Sequence, residues 1–162
     1  MQIYEFAMNM ELDGKRYYEE LYKRTNSEGL KNIFEMLAED ELNHYNIIKD
    51  FKKNNELNVK SKTLRNANNL FATMLGSTEN LPSDASNIDA YKHACDLEDE
   101  SINAYEKYKK ESSSDEESMV FDKLILEEKK HKLILENIIE FVTEPDKNRG
   151  IKTIDSDPEF AR

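Results

Sequence analysis

The sequence predicts an all-α protein, a bundle of four helices built from two similar hairpins. Three observations indicate this: four long segments with apolar residues alternately three and four positions apart, few helix breakers, and an internal repeat. The 162 residues include only four Gly and three Pro, and 38 % are hydrophobic, which is enough for a core. With 35 % charged residues, the composition favours a helical bundle over a sheet protein or a disordered chain.

Each predicted helix has one inward stripe that is mostly uncharged. The helices are predicted at residues 2–25, 28–53, 86–112 and 115–142. The stripes of the first and third helices are Tyr4, Ala7, Glu11, Gly14, Tyr18, Leu21 and Tyr91, Ala94, Glu98, Ser101, Tyr105, Tyr108. Those of the second and fourth are Leu30, Phe34, Leu37, Glu41, His44, Ile48, Phe51 and Phe121, Leu124, Glu128, His131, Leu135, Ile138, Val142. Every stripe therefore carries ionisable residues near its middle, where an ordinary core has none.

The chain is expected to form one bundle domain followed by a tail. A short helix near residues 63–75 is predicted inside the connection between the second and third helices, which is otherwise rich in Gly, Ser, Asn and Pro. The last residues contain two prolines and little apolar material, so they are predicted to be loop. The predicted boundaries are 1–144 for the domain, 1–54 for the first hairpin, 55–86 for the crossover, 87–144 for the second hairpin and 145–162 for the tail.

The two hairpins are copies of each other at an offset of 87 residues. About twelve of about fifty aligned positions are identical, where composition alone gives roughly three. The matched pairs include Tyr4 and Tyr91, Ala7 and Ala94, Glu11 and Glu98, Tyr18 and Tyr105, Glu41 and Glu128, and His44 and His131.

The repeated ionisable residues are predicted to meet at one depth of the bundle. The chain has three histidines, and two of them form Glu-x-x-His with Glu41 and Glu128. The midpoint between Glu11 and Glu41 falls in the first predicted turn, and the midpoint between Glu98 and Glu128 falls in the second. Because a helix rises about 1.5 Å per residue, an antiparallel hairpin brings its two glutamates level. Four glutamates and two histidines then share one layer.

Such a layer needs positive charge. Four buried carboxylates repel one another and lose their solvation, which costs several kcal/mol for each group. Two divalent cations offset the four negative charges, and oxygen and imidazole ligands suit iron or manganese. Glu and His three residues apart lie on one helical face and can serve one metal, with the carboxylate free to bridge to a second. Gly14 and Ser101, one turn beyond Glu11 and Glu98, leave room for the metals and a small oxidant.

Neighbouring residues allow a structural and a functional reading. Tyr18 and Tyr105 are either core tyrosines or hydrogen-bond donors to ligand carboxylates across the bundle. Asp40 and Glu127, which precede the ligand glutamates, are expected to be solvated charges rather than acceptors for a ligand histidine. His93 is interpreted as a partly buried packing residue, and Cys95 as a small apolar filler.

Composition excludes several classes of function. A net charge of −11 argues against a nucleic-acid partner or an acidic membrane surface. A single cysteine allows no disulfide framework and no thiolate metal site, and it is compatible with the reducing cytoplasm, where we expect the protein. The first residues lack the features of a signal peptide, and no stretch approaches the roughly 20 apolar residues that cross a bilayer.

Four stretches resemble the iron-binding helices of rubrerythrin-type proteins in the ferritin-like superfamily: "MELDGKRYYEEL", "FEMLAEDELNHYNII", "LEDESINAYEKY" and "FDKLILEEKKHKLIL". The resemblance covers nearly all of residues 2–142. It implies a ferritin-like four-helix bundle with a crossover, a carboxylate-bridged di-iron centre, and reaction with hydrogen peroxide or dioxygen. The ligands that it implies are Glu11, Glu41, His44, Glu98, Glu128 and His131.

The chain departs from the rubrerythrin pattern in two places. Full-length rubrerythrins carry a rubredoxin-like domain with paired Cys-x-x-Cys motifs, which these residues lack, so the resemblance implies an external electron donor such as a rubredoxin. Rubrerythrins also have an additional glutamate one turn after the third-helix ligand, where this chain has Ser101, and Glu100 lies one residue off the stripe. Relatives are commonly dimers, so a homodimer is expected.

Three functions are compatible with the sequence. The first is a peroxidase or oxidoreductase that contributes to oxidative-stress defence and holds two iron ions, with manganese or zinc as alternative ions. The second is a ferroxidase or iron-handling protein, which as a store would need a large shell of subunits. The third is a metal-free helical interaction module, in which the polar layer is internally satisfied.

Overall fold

The computed structural model describes residues 2–54 and 87–143, and these form four α-helices. Helix α1 spans Gln2–Arg24, α2 spans Glu28–Asn54, α3 spans Ile88–Lys110 and α4 spans Asp115–Thr143. Among these residues there is no strand, which confirms the all-α prediction, and the helix limits agree with the predicted ones to within a few residues. The predicted crossover, its short helix near residues 63–75 and the C-terminal tail lie outside the described residues.

Repeated serines begin the second helix of each hairpin. Ser27 precedes α2, and its Oγ accepts a hydrogen bond of 3.1 Å from the backbone N–H of Leu30. Ser114, its equivalent in the repeat, precedes α4 and accepts a 3.1 Å bond from the N–H of Glu117. Each bond satisfies one of the N–H groups that the first helical turn leaves without a partner, which stabilises a helix by about 1 kcal/mol. The internal repeat thus extends to the residues that end the turns.

Helices α1 and α2 pack along their length, as do α3 and α4, and the two hairpins meet through α1 with α3 and α2 with α4. The side-chain pairs between α1 and α3 give their direction. Tyr105 donates to Glu11, and Tyr18 donates to Glu98, so the residue number falls along α3 as it rises along α1. The same order holds between α2 and α4, where His44 contacts Glu128 and His131 contacts Asp40. All four adjacent helix pairs are therefore antiparallel.

This arrangement makes α2 and α3 diagonal and parallel. The beginning of α3 lies beside the end of α1, where Nδ2 of Asn87 donates a 3.3 Å hydrogen bond to the carbonyl of Arg24. The end of α2 lies at the other end of the bundle, because α2 returns antiparallel to α1. The chain from Asn54 to Asn87 therefore joins opposite ends of the bundle. A ferritin-like order of helices, with a long connection between the hairpins, follows from these contacts.

Two hydrophobic clusters lie on either side of the polar layer. One, toward the end of α1, contains fully buried Phe34 and Tyr91, and the other, toward its beginning, contains buried Phe121 and Tyr105. Each fully buried aliphatic or aromatic side chain of this size contributes about 1.5–3 kcal/mol. The clusters hold the four helices together at both ends and so fix the spacing of the ionisable layer between them. No described helix is long and apolar enough to cross a membrane.

Candidate metal centre

The six side chains that the sequence singled out meet in one buried layer. Glu11 and Glu98 come from α1 and α3, while Glu41 with His44 and Glu128 with His131 come from α2 and α4. All six are buried, with exposed fractions between 1 % and 4 %. Such burial of ionisable groups is rare unless the groups are paired or bind metal.

The layer divides into two groups that share two glutamates. In each group, one nitrogen or oxygen atom per residue can be chosen so that all four atoms lie within 4.8 Å of one another. The first group is Glu11, Glu41, His44 and Glu128, and the second is Glu41, Glu98, Glu128 and His131. We call them the His44 group and the His131 group. Glu41 and Glu128 belong to both, so they are placed to bridge two ions, while Glu11 and Glu98 each belong to one.

Each histidine faces a shared glutamate of the other hairpin. His44 Nδ1 lies 2.9 Å from Glu128 Oε1, and His131 Nδ1 lies 2.8 Å from Glu41 Oε1. The two imidazole rings stack with 5.4 Å between their centroids. The distances from Nδ1 to the unshared glutamate of the same group are 3.4 Å for Glu11 and 3.5 Å for Glu98. Both Nδ1 atoms thus point into the carboxylate layer, where a metal would take them as ligands.

Several atoms of the layer have no hydrogen bond within the described part of the chain. They are buried, and they are Glu11 Oε2, Glu98 Oε2 and Glu128 Oε2. Glu41 Oε1 and His131 Nδ1 lie 2.8 Å from each other, but they make no well-aligned hydrogen bond. A buried polar atom without a partner costs about 1–3 kcal/mol, and more when it is charged. Two divalent cations would satisfy these atoms and balance four carboxylates. The residues therefore fit a pair of metal ions.

The shared glutamates have the highest proton affinity among the carboxylates. Burial raises the pKa of Glu41 and of Glu128 well above the usual value, and the negative charge of Glu11 raises both further. For the two histidines, burial alone would lower the pKa. The surrounding carboxylates outweigh burial and raise the pKa of His44 and of His131 well above the usual value. In the metal-free protein these four side chains therefore keep their protons to higher pH than the free side chains do.

The unshared glutamates behave in the opposite way. Burial raises the pKa of Glu11, but the charge of His44 and hydrogen bonds, including one from Tyr105, outweigh burial and lower the pKa to about 2. Burial likewise raises the pKa of Glu98, but hydrogen bonds and the charge of His131 lower it overall. The unshared glutamates thus favour the ionised form and the histidines beside them the protonated form, and metal ions that bind here must displace protons.

Two tyrosines support the unshared glutamates across the interface of α1 and α3. Tyr18 donates a hydrogen bond to Glu98 Oε1, and Tyr105 donates one to Glu11 Oε1. Burial raises the pKa of both phenols well above the usual value, and the nearby glutamates raise it further, so both remain protonated donors. Of the two readings that the sequence allowed, the structure places both tyrosines as donors to candidate ligands.

The expectation that Asp40 and Glu127 are solvated charges is wrong. Their exposed fractions are 5 % and 6 %. Asp40 Oδ2 lies 2.9 Å from His131 Nε2, so the imidazole donates its second proton to this carboxylate. Asp40 is buried because its carboxylate reaches His131 on α4, and Glu127 is buried at the equivalent position of α4. The signal that the sequence offered was their matched position in the repeat.

The two packing residues take no part in the layer. His93 is exposed on α3, where its ring packs edge-on against Tyr17 with 5.3 Å between centroids. Its predicted partial burial is therefore wrong. Cys95 is partly buried against the core cluster that contains Phe34, and burial raises the pKa of its thiol to about 12. That pKa agrees with an apolar filler rather than a reactive thiolate.

A cavity of about 120 Å³ lies between α1 and α3 and reaches the layer. It is lined by Glu41 and Glu98 and by the two small residues of the repeat, Gly14 and Ser101. A Cβ atom added to Gly14 would lie 3.0 Å from Glu41 Oε2, closer than an ordinary contact. The absence of a side chain at position 14 therefore gives a shared glutamate its space.

Comparison with known families gives one match. The sequence matches the rubrerythrin family model over residues 2–139, which is most of the chain. The chain belongs to the rubrerythrin family. The comparison with curated proteins and the comparison with solved structures each give no match. Rubrerythrins are a ferritin-like di-iron family, and both the bundle and the buried carboxylate and histidine layer of this member agree with that assignment.

Proposed function

We propose that this rubrerythrin-family protein binds two iron ions in the buried layer and reduces hydrogen peroxide or dioxygen. The observation that supports the proposal is the division of the layer into two four-residue groups that share Glu41 and Glu128. A structural polar layer has no need of two shared carboxylates with unpaired oxygens, whereas a pair of ions held close together needs them. Oxygen and imidazole ligands without thiolate favour iron or manganese over structural zinc.

The protein's own contribution is geometry and charge. When bound, iron supplies the electrons that break the oxygen–oxygen bond of the reactant, and water is the product of the peroxidase reaction. Glu41 and Glu128 hold the two groups at a fixed separation, while Tyr18 and Tyr105 fix the orientation of the unshared carboxylates. The hydrophobic clusters lie on both sides of the layer, and the cavity reaches the layer from the surface.

The reaction needs a source of electrons. The 162 residues contain one cysteine, so they cannot form the four-cysteine iron site of a rubredoxin. We propose a separate carrier such as a rubredoxin as the donor, a homodimer as the assembly and the cytoplasm as the location.

A ferroxidase or iron-handling role is the second candidate. It is favoured by Ser101, which stands where the resemblance implies a further glutamate, while Glu100 is exposed. Without that carboxylate the centre has fewer ligands to exchange during a redox cycle. A metal-free interaction module is the least supported function, since it leaves the buried carboxylate oxygens without partners.

Metal analysis combined with peroxide consumption tests the proposal. Protein from iron-replete expression is analysed for metal, loaded with Fe²⁺ without oxygen, and mixed with hydrogen peroxide. We expect two ions per chain and faster peroxide consumption than for the double variant His44→Ala, His131→Ala. Bound iron without accelerated peroxide consumption would favour the ferroxidase role, which oxygen uptake and sedimentation then test, because storage needs a large shell. No bound metal would support the interaction module.

A further inference from the structure

We propose that the cavity between α1 and α3 is the pocket that admits the reactant, and that it selects hydrogen peroxide or dioxygen over hydroperoxides with a bulky organic substituent. This inference rests on the proposed function and adds a location and a size limit to it. The cavity has a volume of about 120 Å³. About 10–15 Å³ of such volume is enough to hold one water molecule, so the cavity has room for a molecule of a few non-hydrogen atoms.

The cavity connects the surface with the ligands of the His131 group. Asp13 and Glu100, which are exposed, are among its lining residues, and so are the buried Glu41 and Glu98. A molecule that enters from solvent therefore meets the candidate ligands without any movement of the helices. Its walls are largely apolar, as in many pockets for small molecules, and they include Met10, Ala94 and Leu97.

Two candidate ligands, Glu41 and Glu98, are buried lining residues of the cavity, with side chains 3 % and 4 % exposed. Oε2 of Glu98 has no hydrogen bond among the described residues. The cavity thus leads to a ligand with an unsatisfied oxygen, which is expected of a path to a reactive centre and unnecessary for a packing defect.

Small residues at equivalent positions of the repeat create the opening. Gly14 on α1 and Ser101 on α3 both line the cavity. Because α1 and α3 are antiparallel neighbours related by the repeat, two small residues at one position leave space on both walls. A larger residue at position 101 would fill this space, and any side chain at position 14 would press on Glu41.

The size limit follows from comparison with known cavities. An apolar cavity of about 150 Å³ holds a benzene molecule. Cumene hydroperoxide carries a benzene ring and three further carbon atoms, so it exceeds the volume of about 120 Å³ here. Hydrogen peroxide and dioxygen have two heavy atoms each, and they fit with room for water.

Binding of a small anion, measured without turnover, tests whether the cavity is the route to the metal ions. Azide, a linear ion of three atoms, is titrated into Co²⁺-loaded protein and followed by visible absorption, after the metal content has been measured. We expect Ser101→Leu to weaken azide binding by roughly tenfold or more, because leucine fills the space that azide needs. The matched control is Asn103→Leu, which changes an exposed residue of the same helix and should bind azide like the unmodified protein. Equal azide affinity in all three proteins would overturn the proposal.

Widening the cavity tests the size limit independently. In Met10→Ala the preference for hydrogen peroxide over cumene hydroperoxide, taken as the ratio of kcat/KM values, should fall by roughly tenfold, because a wall side chain is shortened. Met8 and Met10 both pack against the Phe121 cluster, but only Met10 lines the cavity, so Met8→Ala should leave the ratio unchanged. An unchanged ratio in Met10→Ala would overturn the size limit. Loss of all peroxide reduction would contradict the proposed function, and the azide titration would still decide the path.

Discussion

The His44 group and the His131 group are copies of one arrangement, yet they differ in what surrounds their histidines. Each has two shared glutamates, one unshared glutamate with a tyrosine donor, and one histidine that enters through Nδ1. Around His131, the second ring nitrogen contacts Asp40 at 2.9 Å. The equivalent of Asp40 is Glu127, and among the described residues its Oε1 lies 3.4 Å from Nζ of Lys130 rather than beside His44.

Two local changes in the repeat explain the difference. Glu127 has one methylene more than Asp40, and Lys130 replaces Asn43 at the equivalent position, so the longer carboxylate has a cation three residues away on its own helix. The six candidate ligands match between the two halves, whereas residues around them differ. A histidine held at both nitrogens is better oriented for a metal, so the two groups should bind ions unequally.

The largest effect is expected from a substitution that changes a glutamate shared by both groups. Glu128→Gln removes the charge of a shared carboxylate, so we expect loss of both ions, with an affinity decrease beyond the roughly 10–100-fold that outer contacts cost. Glu98→Gln changes an unshared carboxylate and should leave one ion, in the His44 group. Metal analysis after dialysis, with the folded state checked by circular dichroism, measures the stoichiometry. Two ions retained in Glu128→Gln would show that this glutamate bridges nothing.

The next largest effect is the pH dependence of metal binding, which should be alike in both groups. Each group contains a histidine with a raised pKa, and the two shared glutamates also have raised pKa values. Because raised pKa values keep protons bound to higher pH, metal must displace them, and affinity should rise with pH by about tenfold per unit for each proton displaced. Calorimetry in buffers of different ionisation enthalpy counts the protons. Binding that releases no protons near pH 7 would contradict the raised pKa values of these groups.

The same protons predict how the metal-free protein responds to pH. A group whose pKa is raised in the folded state stabilises it below the unfolded pKa, and that contribution is lost as pH rises through the folded value. We therefore expect the metal-free protein to unfold at lower urea concentration at pH 9 than at pH 6. Adding Co²⁺ at pH 9 should restore stability, because cations then replace protons. Increasing stability of the metal-free protein from pH 6 to pH 9 would be the opposite result.

A smaller effect tests the contact that distinguishes the two groups. Asp40→Asn keeps the shape of the side chain but removes the charge that receives the His131 proton, so we expect one of the two ions to bind roughly tenfold more weakly. Glu127→Gln alters the equivalent position, whose carboxylate contacts Lys130, and should change neither affinity. Stepwise Co²⁺ titration separates the two binding events. An equal effect of both substitutions would show that the groups are equivalent after all.

The smallest effect is expected from removing the tyrosine hydrogen bond that both groups have in common. Tyr18→Phe and Tyr105→Phe each remove a hydrogen bond to a buried carboxylate, worth about 1.5–3 kcal/mol, and the two losses should be similar. Tyr17→Phe is the control, since its hydroxyl donates a 2.8 Å bond to the neutral carbonyl of Ala90 and is only partly buried. That substitution should cost about 0.5–1.5 kcal/mol. Urea unfolding of the metal-free variants gives the values, and a large difference between Tyr18→Phe and Tyr105→Phe would contradict the symmetry.

The sequence by itself determined the four helices, their duplication and the depth of the ionisable layer. The period of apolar residues shows which side of a helix is buried, and counting from the turns shows which residues of one hairpin lie level. Glu11 with Glu41 and Glu98 with Glu128 could therefore be placed at one height before any coordinates were known.

The tertiary structure decided which residues of the two hairpins meet. Periodicity carries no information on which helices are neighbours, so it could not show that His44 faces Glu128, that His131 faces Glu41, or that Glu41 and Glu128 are shared. Periodicity also led to the wrong expectation that Asp40 is solvated. A position beside the main stripe is buried only when a second helix packs over it. Depth along a helix is a local property of the chain, whereas contacts between helices depend on how four helices fill space together.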